Sequence, residues 1–173
     1  MQFKGHFTIT KRDNIDFNLL LMKRKLISAS ITVFAVITLL VGFLKYMQGI
    51  PLVNAALQAL LLAVLGVVLL AVINIVSMLL RINGMYKSNK IAEFSFDALV
   101  DKDGFHATSD RGDSDVPWER ILSVAETKGA FYVFITDSNA NVLPKPQIAE
   151  ASGVETLRKL FIKYLPAQKL RLR

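Results

Sequence analysis

Two long stretches of this chain carry no charged residue, and they limit what it can fold into more than any other feature. Residues 26–44, LISASITVFAVITLLVGFL, are bounded by Lys23, Arg24 and Lys25 on one side and Lys45 on the other. At 1.5 Å per residue they span about 28 Å, close to the ~30 Å hydrocarbon core of a bilayer. The second stretch covers residues 46–80, and its compact apolar part begins near Pro51 and stops before Arg81. It is long enough to cross with tilt or to leave a turn at the interface. A soluble helix of this length carries a polar stripe at a period of 3.6 residues, and neither stretch has one. A cleaved signal peptide fits poorly, because six basic and two acidic residues precede the first stretch and a second apolar run follows it at once.

The spacing predicts spans at about 26–45 and 52–80, joined by the short connection 45–51, in which Gly49 and Pro51 are turn and helix-start residues. Orientation is read from Lys and Arg near the spans. Lys4, Lys11, Arg12, Lys23, Arg24 and Lys25 precede the first span; Arg81, Lys87 and Lys90 follow the second; the connection offers only Lys45. This places both termini in the cytoplasm, with the hairpin (26–81) in the membrane and residues 86–173 as a cytoplasmic domain. The net charge of +7 is concentrated at the membrane flanks, which argues against a nucleic-acid partner. No ionisable group lies inside either span, which argues against a pump or transporter. The polar residues of the spans are Ser28, Ser30, Thr32 and Thr38, then Asn54, Gln58, Asn74 and Ser77. Ala55, Ala59 and Ala63 repeat every four residues, a spacing that lets helix backbones approach. The simplest partner is the first span; a second protomer, and so a homo-oligomer, is the other.

Residues 1–25 predict a strand followed by an interfacial helix. Phe3, Phe7 and Ile9 share one parity, and Thr10 or Asp13 can cap the helix. An isolated strand is unstable, so this one must join the sheet of the C-terminal domain. Beyond residue 91 the pattern alternates. Ala92, Phe94, Phe96 and Ala98 fall on one face, and turns are expected at 101–104 and 110–115. Further short strands follow, VPW, ILSVAE, FYVFIT and NVLP. A last helix opens on a capping box, Ser152 to Glu155, with Val154, Leu157, Leu160, Phe161, Tyr164 and Leu165 on one face. Pro166 stops it, and the basic tail KLRLR reads as a frayed end, with anionic lipid as a second possibility. The fold class is therefore α+β, a two-helix transmembrane hairpin with an antiparallel β barrel or sandwich closed by a C-terminal helix.

Few residues offer chemistry. The chain has no cysteine, so disulfides and thiolate metal sites are excluded. His6 lies opposite the apolar parity of its strand, and His106 is the only histidine of the C-terminal domain. Asp101, Asp103, Asp110, Asp113 and Asp115 lack calcium-loop spacing, with His106 where a loop glycine belongs. Glu119 and Glu126 read as isolated carboxylates, and Trp118 as core. No catalytic group, cofactor or metal site is expected. Lys23, Arg24, Lys25, Arg81 and Lys145 are the candidate contacts for lipid headgroups.

A leading strand, a two-span hairpin, the segment Trp118-Glu119-Arg120-Ile121, the FYVFIT strand, Leu143-Pro144-Lys145 and a closing helix together resemble the YcxB-like family of bacterial membrane proteins. Where that family's pattern continues with a basic residue and an aromatic, this chain has Pro146, Gln147 and Ile148. The resemblance implies a C-terminal domain similar to a bacterial pleckstrin-homology (PH-like) fold and implies no enzyme activity. The expected role is a non-enzymatic protein of the bacterial inner membrane that presents a cytoplasmic PH-like interaction module, with membrane lipid around its spans and a protein as its partner. Two alternatives are an immunity protein that binds a membrane-directed toxin and an anionic-lipid sensor.

Overall fold

The computed structural model describes residues 1–88, 93–148 and 151–172, without the side chains of Arg24, Ala151 and Ser152. Lys90 and Ala92 lie outside the described residues. The chain divides into two compact units, Met1–Phe17 with Ile91–Arg173, and Asn18–Lys90.

Two helices make up the second unit, α1 (Lys11–Met47), which begins in the first, and α2 (Leu52–Lys87). Thr10 is the N-cap of α1, and Asp13 completes a reciprocal box. The Asp13 N–H donates to the Thr10 hydroxyl oxygen at 3.3 Å, and Asp13 Oδ2 accepts the Thr10 N–H at 2.9 Å and its hydroxyl at 2.6 Å. The connection is as short as the sequence predicts. Gly49 has a φ of 79°, which a residue with a Cβ adopts at a cost, and Pro51 precedes the first turn of α2.

Ala55, Ala59 and Ala63 are fully buried. Gly42 of α1 faces them: a methyl built there would lie 3.7 Å from the Ala59 Cβ, and one on Gly66 would meet Ile37 Cδ1 at 2.5 Å. The alanine stripe therefore packs against the first span. Ala59→Leu should destabilise the hairpin by about 1–3 kcal/mol through overpacking, read as a lower midpoint in a denaturing-detergent titration. Away from this seam the helices show apolar surface to their surroundings; Leu39 is 74% and Leu61 73% exposed. The segments Lys25–Met47 and Leu52–Lys87 are long and apolar enough to cross a membrane, and they point to membrane association.

The other unit contains two four-stranded sheets. In the first, β1 (Phe3–Ile9), β2 (Phe94–Val100), β3 (Gly104–Ser109) and β4 (Gly112–Pro117) lie in sequence order, all antiparallel. The N-terminal strand does join the later sheet, with Phe3 opposite Val100 and Ile9 opposite Phe94. The second sheet has the order β7 (Ala140–Pro144), β6 (Ala130–Phe134), β5 (Ser123–Glu126), β8 (Leu170–Arg171). Helix α3 (Ala151–Tyr164) packs on one face of β6 through Phe161 and Phe131, with ring centroids 5.7 Å apart. Phe17 of α1 stacks on Tyr132 on the opposite face, at 5.8 Å. All five residues of β6 are buried for this reason.

The closed barrel is not found, and β8 runs parallel to β5, so the arrangement is not wholly antiparallel. At the free edge of β1 a side chain, not a strand, meets the backbone. Gln147 Oε1 accepts the Thr8 N–H at 2.6 Å and its Nε2 donates to the Thr8 carbonyl at 2.7 Å. Gln147 thus fills part of the departure from the family pattern and ties the two sheets together. Three local expectations also change. Residues 112–115 belong to β4 and not to a turn, because an edge strand with one solvated face tolerates the polar run. The tail is not frayed: Lys169 Nζ donates to the Ile121 carbonyl at 2.7 Å and holds β8 beside β5. Helix α3 starts at Ala151, so Ser152 lies within its first turn and not at the cap, and Glu155 pairs with Arg158.

Trp118 is core, as expected. It stacks on Tyr164 with centroids 5.0 Å apart and meets Phe161 edge-on. Its indole N–H lies 3.2 Å and 3.1 Å from the carbonyls of Asp101 and Lys102, so the turn before β3 is fastened to the core.

Candidate functional site

The first sheet buries one face and leaves the other open. Phe3, Phe7, Ile9, Phe96, Ala98, Val100, Phe105 and Val116 point inward. Cross-strand partners share a face, so the outer face carries His6 opposite Asp97, Asp97 opposite Thr108, Lys4 opposite Leu99, and His106 opposite Asp115. Both histidines of the chain thus meet on one surface. A shallow depression there is lined by Lys4, His6, Asp97, Leu99, His106 and Thr108. Sequence reading placed both histidines on strand surfaces but did not bring them together, because their proximity depends on pairing across 91 residues of chain.

Each histidine is tied to carboxylates. His6 Nδ1 lies 2.8 Å from Asp97 Oδ1. His106 has one on each ring nitrogen: Asp115 Oδ1 at 2.6 Å from Nδ1 and Asp101 Oδ1 at 3.5 Å from Nε2. The hydrogen bond to Asp115, with the charges of both aspartates, holds the His106 pKa above its ordinary value. Asp101 is held below its own, first by the Asp103 N–H and then by His106. His106 therefore contributes stability that is complete below its ordinary pKa and is lost as pH rises through the raised one. The folded unit should melt higher at about pH 5.5 than at about pH 8, and His106→Gln should shrink that difference. A difference unchanged in the variant would assign it to other groups. Among the described residues, no three His, Cys, Asp or Glu gather as a metal site.

A second cluster is buried and structural. The Glu126 side chain is fully enclosed, with Lys145 Nζ and Arg158 Nη2 each 2.6 Å from Oε1 and Arg158 Nε 3.2 Å from Oε2. Lys145 also sits over the Phe131 ring, 4.9 Å from its centroid. Glu126 read as isolated in the sequence because its partners stand 19 and 32 residues away. Of the proposed headgroup contacts, Lys145 is thus engaged inside the fold, at 18% side-chain exposure. Lys23, Lys25 and Arg81 are exposed on the helices, and the Arg24 side chain lies outside the described residues.

Residues 100–161 match the model of the YcxB-like protein family. The matched segment covers about a third of the chain, from the end of β2 into α3, and includes the Trp118 turn and Lys145. No curated protein matches the chain. No solved structure matches it either.

Proposed function

We propose that this is a non-enzymatic protein of the bacterial inner membrane that holds a PH-like interaction module in the cytoplasm. The observation that carries the reading is the pairing of β1 with β2. These strands flank both apolar helices in sequence, so they must lie on the same side of any membrane the helices cross. That demands an even number of crossings, and two are available. The excess of Lys and Arg on the outer flanks over the single Lys45 of the connection makes that side the cytoplasm.

Lys23, Arg24, Lys25 and Arg81 stand at the span ends, where they can meet anionic headgroups. Lys145 could join them only by leaving Glu126. The open face with His6, Asp97 and His106 is the surface offered to a protein partner. A non-enzymatic role fits this face: both histidines are held by aspartates on an open sheet, whereas acid–base catalysis gains from a site that excludes water. The test is site-specific photocrosslinking in native membranes from positions Lys4 and Thr108. A discrete adduct with another protein, blocked by Asp97→Lys, supports the module. Full-length protein that stays in the membrane pellet after an alkaline wash yet gives no adduct from either position would overturn it.

A further inference from the structure

The structure carries a second helix face that nothing in the fold covers, opposite the alanine stripe of α2. Asn54, Gln58, Leu61, Leu65, Val68 and Val72 follow one another at intervals of four, three, four, three and four residues. These intervals average 3.6 residues, the period of a straight α-helix, so the six residues form one continuous seam along α2 that can face a partner helix. Leu61 is 73%, Leu65 63%, Val68 53% and Val72 50% exposed. Lipid alone could cover the aliphatic part. It cannot satisfy Gln58, an exposed side-chain amide inside the apolar segment with no hydrogen-bond partner among the described residues. Two other polar side chains of the spans meet their own backbone instead. Asn74 Nδ2 donates to the Leu70 carbonyl at 2.8 Å, and the Thr32 hydroxyl donates to that of Ser28 at 3.2 Å.

Resting on the membrane reading above, we propose that this face is a self-association surface whose occupant is α2 of a second copy of the chain. Copies inserted in one membrane share one orientation, so two α2 helices meet in parallel. A two-fold axis along the membrane normal then sets each seam residue against its own counterpart. Of the seam residues, Gln58 and Asn54 carry amides, and Gln58 lies the deeper of the two in the apolar segment. An amide carries both donors and an acceptor, so two of them close a reciprocal pair without any third group. Asn54, one turn nearer the connection, repeats the chemistry. The Ala55, Ala59 and Ala63 stripe stays inside each hairpin, so this interface differs from the small-residue one the sequence suggests.

The chain has no cysteine, so single cysteines can be placed at will. Leu61→Cys and Leu65→Cys lie on the seam, and Leu60→Cys, 42% exposed, lies off it. Oxidation in native membranes should give disulfide-linked dimers from the first two and not from the third. Adding Gln58→Leu to Leu61→Cys should weaken association by about three- to tenfold, and Gln58→Asn should retain most of it. Equal crosslinking at all three positions, or none in protein that remains membrane-embedded, would overturn the seam while leaving the membrane reading intact. An unchanged yield in Gln58→Leu would remove the role given to the amide. Recovery of the protein in the soluble fraction would remove the premise, and the proposal with it.

Discussion

Gly104→Ala should lower the stability of the strand-rich unit by about 3 kcal/mol or more. Two costs add at this position. The backbone has a φ of 152°, where a residue with a Cβ is strained. A Cβ there would also lie 2.3 Å from the Val116 carbonyl oxygen and 2.9 Å from the Pro117 Cα. Both obstacles are backbone of the neighbouring strand, so neither can rotate away. Gly104 pairs with Pro117, and the next residue, Trp118, donates to the carbonyls of Asp101 and Lys102. Forcing β3 from β4 therefore also loosens the core. Trp118 is the only tryptophan, so its fluorescence during thermal unfolding of the full chain in mild detergent reports the loss directly. Gly112→Ala is the control, since its φ is 124° but no atom lies within 4 Å of a Cβ built there. Equal losses in the two variants would mean that strain, and not the approach of β4, sets the cost.

Glu126→Leu should cost about 3 kcal/mol, for a different reason. It removes the shared carboxylate, leaving Lys145 without its ion-pair partner and Arg158 with Glu155 alone, and the side chains of the two cations are only 18% and 24% exposed. Both cations keep some access to water, which holds the cost toward the lower end of what breaking a buried pair produces. Replacing all three, Glu126→Leu with Lys145→Met and Arg158→Leu, should recover most of the loss, because a packed apolar cluster no longer contains an unpaired charge. A triple variant as unstable as the single one would show that the ions are needed for more than mutual neutralisation.

The parts of this fold legible in the sequence were those set by local pattern. The charge-free runs, the Gly49 and Pro51 connection, the stripe of Ala55, Ala59 and Ala63, and the strand parity of Phe3, Phe7 and Ile9 each follow from spacing within a few residues. What was hidden depends on contacts distant in sequence. The polar run at 112–115 looked like a turn because an edge strand does not need apolar residues on its open face. Three-residue spacing alone cannot say where a helix begins: the Thr10 cap read from the sequence is found, whereas Ser152 lies inside α3. Gln147 carried no sequence signal, because its partner is the backbone of Thr8, 139 residues earlier. The candidate site follows the same rule: His6 and His106 each looked like a lone surface histidine until β1 was laid beside β2.

The proposed topology sets the short connection between the helices on the opposite side of a membrane from the paired strands. Single cysteines at Gln48, in the connection, and at Ser88, just past α2, would be treated in intact cells with a thiol reagent that cannot cross the membrane. Labelling at position 48, with position 88 silent until the cells are permeabilised, is the predicted result. Labelling at 88 with silence at 48 would contradict the orientation, and labelling of neither before permeabilisation would contradict the crossing itself.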